Sequence, residues 1–385
     1  MRQVMTRQLK ILIIAITTGL WNLGVLASPL ETTIPEPLIP TIDRPLTSFE
    51  RYRINKTILE LDSQAQAKLA ENLGDQAFEL WYRELRLQRA LGLLPEINAL
   101  GRIGAIAWSE NRPDEVKIIN DRLEAIALEL KDEPELILAL AQAYQEIRNL
   151  EQAIAFYEKS LTYGRQKQIL TNLADLYLAR FDYANAAKVY EELLGIARVE
   201  ADVWQQSIYL QQLAEIYNEA SQPENALIVK QQLAETYKQN EQYSELGMVL
   251  LSLGADYQAI DAITEASESY QAAFEVAWSQ EQYGLAAEAK LNLANLYYGA
   301  EELETALSVY RELLTVYEKS YNLYGLMNTY AQIGKIYTAQ NKYQEALMTF
   351  EKGLELAESL NYEQAYFNSQ IEQIRAKISE QDGKI

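Results

Sequence analysis

The 385-residue chain contains no cysteine and no histidine. The first absence excludes disulfides, thiolate metal sites, cysteine nucleophiles and lipid attachment to an N-terminal cysteine. The second removes the commonest general base and the commonest transition-metal ligand. Basic residues are also few, 34 against 55 acidic ones, for a net charge of −21. A surface of that sign repels phosphate backbones and anionic headgroups, and no compact run of Lys and Arg offsets it. Nucleic acid is therefore not an expected partner. No glycine-rich phosphate loop, dinucleotide fingerprint or nucleophile elbow occurs. The acidic turn Glu301, Glu302 and Glu304 lacks the alternating ligands and central glycine of a calcium loop. No catalytic residue, metal ligand or cofactor is expected, and the chain reads as a non-enzyme.

Proline is sparse as well. There are nine, and five of them (Pro29, Pro35, Pro37, Pro40 and Pro45) crowd into residues 28–48. That spacing forbids a helix and favours extended backbone, so the stretch reads as a Pro-rich linker. Before it, Arg2, Arg7 and Lys10 precede an apolar run from Ile11 to Ala27 that ends in Val25, Leu26 and Ala27. This is the layout of a secretory signal peptide over residues 1–27, with cleavage predicted after Ala27. Thr17, Thr18 and Asn22 interrupt the run and make it a poor permanent span. The expected destination is the periplasm, or the thylakoid lumen in a cell with thylakoids. An uncleaved segment would instead anchor the chain to a membrane, the one membrane contact expected. Loss of the leader would remove three positive charges and leave a net −24.

What the chain does have is apolar content, 49%, and a period. Small residues recur at Ala65, Gly104, Ala141, Ala174, Ala214, Gly254, Ala294 and Gly334. Three residues later comes Tyr144, Tyr177, Tyr217, Tyr257, Tyr297 or Tyr337. Nine residues after each tyrosine stands Ala153, Ala186, Ala226, Ala266, Ala306 or Ala346. One turn further the residue is mostly aromatic, at Tyr157, Tyr190, Tyr270, Tyr310 and Phe350. Lys290 to Tyr317 shows the unit clearly: helices are predicted over Lys290 to Tyr298 and Glu304 to Tyr317, with a turn around Gly299 to Leu303. Neither helix can bury its apolar faces alone, so neighbours must stack.

These columns resemble the tetratricopeptide repeat, a helix–turn–helix unit with a small residue, tyrosine, alanine and an aromatic at fixed offsets. The resemblance is strong across six units in residues 134–360. It is degenerate over 49–133, where Lys68 and Ala107 replace tyrosine and Val116 replaces an alanine. Tyr144 to Tyr177 spans 33 residues, but the later tyrosines are 40 apart. Residues 361–385 read as a capping helix, from Tyr362 to Glu380, and a tail. Ile374 fills the small-residue column there, and Gln364, Asn368, Glu372 and Lys377 make the other face polar.

The resemblance implies an all-α, right-handed α-solenoid, a superhelix of tetratricopeptide-type hairpins. It also implies a concave groove, lined by the first helix of each hairpin, that holds a peptide or partner protein. Matching positions are Gln142, Asp175, Gln211, Glu215, Asn218, Asn292, Asn295, Tyr298 and Lys335. The lysine and arginine pair with which some members grip a C-terminal carboxylate is not evident. The function implied is a protein–protein interaction scaffold; the alternative is a peptide-sensing solenoid that changes curvature on binding.

Overall fold

The computed structural model describes residues 28–31, 36–42 and 44–382; the predicted leader lies outside them. Seventeen helices and no strand occur among the described residues, and no helix there is long and apolar enough to cross a membrane. The chain divides into two compact units, residues 1–163 and 164–385.

The first unit holds α1 (Ser48–Ala70), α2 (Gly74–Leu91), α3 (Leu93–Ser109), α4 (Pro113–Glu129), α5 (Pro134–Glu146) and α6 (Leu150–Leu161). Consecutive helices pack together, and α3 also packs on α5. Thr47 opens α1 with a capping box: its hydroxyl accepts from Glu50 N while the Glu50 carboxylate takes the Thr47 N–H. The small column is used even here. A Cβ added at Gly104 would sit 2.3 Å from Ile147 Cγ2, so the Ile147 side chain at the end of α5 packs directly on the backbone of α3. The described residues before Ser48 are not the extended tether expected of the prolines. Glu31 N closes a turn on Ser28 O and Ile39 N one on Glu36 O, and the segment lies against the helices. Leu30 is 3% exposed, and Glu36 forms a two-point ion pair with Arg83 of α2 at 2.9 and 3.1 Å.

The second unit holds α7 (Lys167–Ala179), α8 (Tyr183–Val199), α9 (Val203–Glu219), α10 (Pro223–Gln239), α11 (Tyr243–Ala259) and α12 (Ile263–Ser279). It continues with α13 (Tyr283–Gly299), α14 (Leu303–Lys319), α15 (Leu323–Ala339), α16 (Tyr343–Leu360) and α17 (Gln364–Asp382). Each packs on the next, which is a helical solenoid. From α8 to α15 every helix has 17 residues. Three-residue turns join them, with the middle residue left-handed: Phe181, Ala201, Ser221, Glu241, Asp261, Glu281, Glu301, Tyr321 and Asn341. In the turn after α13, Glu302 N donates to Tyr297 O at 2.9 Å and Glu301 N to Tyr298 O at 3.1 Å. This is a Schellman closure that satisfies the last carbonyls of the helix. Seventeen and three, twice over, give the 40-residue spacing of the tyrosines. The earlier 33-residue spacing follows from α5 and α6 having 13 and 12 residues.

The columns are the joints. Ala294, Ala306 and Tyr310 are buried in one apolar cluster. A Cβ added at Gly254 would lie 2.5 Å from the Tyr270 ring, and one at Gly334 would lie 2.7 Å from that of Phe350. In these two hairpins the aromatic of the second helix thus occupies the space that the small residue of the first leaves open; α10 has Lys230 at that position. At the far end, Phe367, Ile371 and Ile374 of α17 are buried against α16, while Asn368, Glu372 and Lys377 are exposed.

Candidate functional site

Steric fit between a small residue and an aromatic fixes which face of each first helix remains outside. The residue after the small column is exposed in each of the six well-matched units: Gln142, Asp175, Glu215, Ala255, Asn295 and Lys335. Gln142 lies on α5 of the first unit. The other predicted positions lie in the second: Asp175 on α7, Gln211, Glu215 and Asn218 on α9, Asn292, Asn295 and Tyr298 on α13, and Lys335 on α15. All are exposed except Asn292, which is half-buried. On α11 the corresponding positions are Leu251, Ala255 and exposed Gln258, so the polar face thins there.

Around α13 the cluster has a back wall that the spacing did not reveal. The Tyr310 phenol passes under α13 and donates to Asn295 Oδ1 at 2.6 Å. With its oxygen engaged, Asn295 presents its NH2 group outward. Tyr298, one turn along and 41% exposed, adds an aromatic surface with its own hydroxyl. Tyr310 is pushed up to about 12, first by burial and then by Tyr298, so it remains a neutral donor at physiological pH. The same construction recurs where Tyr270 donates to Gln258 Oε1 at 2.9 Å and, in the first unit, Tyr157 to Gln145 Oε1 at 2.6 Å. The aromatic column marked these tyrosines, but the spacing did not name the acceptor of each hydroxyl.

Around α7 and α9 the cluster is acidic. Partial loss of solvent raises the Asp175 carboxyl above its ordinary value. Tyr190 of α8 is pushed up to about 12, by burial first and then by the charges of Asp175, Tyr209 and Glu215. Gln211 donates through Nε2 to the Tyr237 hydroxyl at 2.7 Å. Lys335 sits apart from both clusters, its ammonium 5.9 Å from the centre of the Tyr366 ring of α17.

The repeat tyrosines point to another face. Tyr217 donates to Glu191 of α8 at 2.6 Å, Tyr257 accepts from Gln231 of α10, and Tyr337 accepts from Arg311 of α14. Cavities open there at corresponding places three units apart, floored by Leu213 and Tyr217 or by Ile333 and Tyr337. Their volumes are about 320 and 300 Å³. None of the predicted groove residues lines either one. Among the described residues no group of three or more carboxylates converges as a metal site would.

Tetratricopeptide-repeat family models match residues 134–163, 169–203 and 285–359. Those three stretches are tetratricopeptide repeats. No curated protein matches it. Among solved structures it is similar to a signal-transduction ATPase with a tetratricopeptide-repeat sensor from Pyrococcus horikoshii. Identity is 16% and the TM-score 0.41, over 77% of this chain and 49% of that one, so this repeat protein spans about half its length. It is similar also to the apo form of RapI, at 14% identity and a TM-score of 0.39 over 85% and 98% of the two chains. A third is the C-terminal part of a repeat-containing protein from Cytophaga hutchinsonii, at 14% identity and a TM-score of 0.38 over 66% and 95%.

Proposed function

We propose that this tetratricopeptide-repeat protein is a non-enzymatic interaction scaffold that is exported from the cytoplasm and grips an extended segment of a partner protein. Repeat proteins of this family serve protein interaction, and their fold is typically non-catalytic. The observation that carries the finer reading is Asn295. Its carbonyl is held by the buried Tyr310 hydroxyl, so its two amide hydrogens are aimed outward beside exposed Tyr298. A donor fixed in that way loses little freedom on meeting a peptide carbonyl. Glu215, Asn218 and Asp175 would supply acceptors for N–H groups or a basic side chain along the same partner.

Affinity capture from the native envelope, followed by mass spectrometry, tests the reading with wild type and with Asn295→Ala/Tyr298→Ala. Asn295→Ala also leaves the buried Tyr310 hydroxyl without its acceptor, a loss of about 1–3 kcal/mol, so capture is run at a temperature where a melting curve shows the variant folded. The expected result is a protein captured by wild type and lost from the variant. An identical set of captured proteins would refute the assignment. Export has its own readout. A mature N-terminus at Ser28 supports it, and Met1 or Arg2 argues for a retained segment.

A further inference from the structure

Helix α2 carries basic residues in a chain that is acidic nearly everywhere else. Arg83, Arg86 and Arg89 follow at three-residue intervals and so share a face. Each holds a different point of the segment that precedes α1. Arg83 grips the Glu36 carboxylate through Nε and Nη2, and Glu36 keeps only 8% of its side chain exposed. Arg86 donates through Nη1 to the Pro29 carbonyl at 2.7 Å. Arg89 donates through Nη1 to Glu31 at 2.8 Å. Beside this stripe, Leu38, Ile39 and Leu46 lie against an apolar cluster built from Ile54, Ile58 and Leu61 of α1 and Leu87 of α2.

The stripe is prepared from behind. Arg89 Nε donates to Glu96 of α3 at 2.8 Å, and Glu96 is 1% exposed. A two-point pair with Arg122 of α4, at 2.7 and 2.9 Å, clamps the same carboxylate. Arg89 is therefore aimed outward by a buried anion that is itself fixed. Arg86 has a buried Nε without a partner among the described residues. A segment that merely spaced two parts of a chain would need no such array of donors, two of them with second hydrogens to share.

We propose that α2 bears a second recognition surface, specific for an acidic, proline-bearing segment, and that Pro29, Glu31 and Glu36 of the chain itself occupy it in cis. Guanidinium groups read the carboxylates and a main-chain carbonyl, and the trough reads the leucine and isoleucine that follow Glu36. Turns closed by Glu31 N to Ser28 O and Ile39 N to Glu36 O shape the occupant. The Arg89–Glu31 pair is exposed at Glu31 and individually weak, so that end of the occupant opens first and yields to a partner segment of the same chemistry.

The test uses the full chain and a dye-labelled peptide of the residue 28–47 sequence, read by fluorescence anisotropy. In wild type the tethered copy holds the surface at high effective concentration, and the peptide is expected to bind poorly. Glu31→Lys/Glu36→Lys should release the tethered copy and tighten peptide binding by about tenfold or more. Adding Arg83→Glu to that variant should return binding to the wild-type background, as should replacing the peptide's glutamates with glutamine. Equal binding to wild type and release variant, or binding indifferent to Arg83→Glu, would overturn the proposal. If the triple variant fails to fold, hydrogen exchange on wild type decides instead. High salt should then speed exchange in residues 36–42 while α2 stays protected, and unchanged exchange there would mean a fixed structural cap.

Discussion

Asp62, Glu84 and Arg102 join α1, α2 and α3, whereas Ala294, Ala306 and Tyr310 join α13 and α14. In the first group, Arg102 donates to Asp62 at 2.7 Å and to Glu84 at 2.6 Å, and Trp81 Nε1 donates to Asp62 at 2.9 Å. Glu84 is 1% exposed, with Oε2 left without a partner. In the second group the joint is steric: small residues leave space and an aromatic fills it. A steric joint repeats readily, because each hairpin needs only the same few residue types at the same offsets. An ionic joint does not, since each pair depends on what its particular neighbour offers. The contrast accounts for a regular 20-residue rise from helix to helix in the second unit and a degenerate pattern at the start of the first.

The largest effect should come from crowding a steric joint. Gly334→Leu would force the Phe350 ring out of its place, costing about 3 kcal/mol, read as a lowered midpoint in urea unfolding. Arg102→Met should cost roughly 2 kcal/mol in the same measurement. The uncompensated Glu84 carboxylate drives that loss, and the value is reduced because Arg102 is itself 40% exposed. Were the Arg102 variant as stable as wild type, the ionic account of α1 to α3 would fail. Smaller still is a gain. Glu301 holds a φ of 61° at the turn after α13, a conformation that glycine adopts without steric cost. Glu301→Gly should therefore raise stability by about 0.5–1 kcal/mol.

Acid should separate the regions as well. The Arg44 guanidinium and the Thr47 backbone and hydroxyl hold Glu50 down at about 2, below its ordinary value of 4.5. A carboxyl depressed in the folded state stabilises fully above its unfolded value and ceases to do so as pH falls through the folded one. The start of α1 should consequently fray between about pH 4.5 and 2, visible as faster amide exchange in its first turn.

Much of the second unit was legible because Ala294, Tyr297 and Ala306 recur at equal intervals, and periodicity is visible in one dimension. Helix ends were less so. The helix expected over Lys290 to Tyr298 begins at Tyr283, because the extra residues of the long unit extend its N-terminal end, where no column marks them. Lys290 stands inside that helix, 2% exposed, paired with Glu312 and 4.2 Å from the centre of the Phe274 ring. Ile137, Leu170, Leu210 and Leu250 occupy its place in other units. The exposed positions of the candidate face followed from the repeat. Its back wall did not, since the hydrogen bond from Tyr310 to Asn295 joins different columns. Least legible was the docked segment before α1. Glu36 and Arg83 are 47 residues apart and belong to no period, so only the folded chain shows them together.

Native-state hydrogen exchange on Arg102→Met and Gly334→Leu, run in parallel with wild type, tests the central contrast most directly. Nearest-neighbour coupling predicts that Arg102→Met lowers protection in α1 to α3 and leaves α13 to α16 at wild-type rates, with Gly334→Leu doing the reverse. Equal loss of protection across both regions in either variant would contradict it.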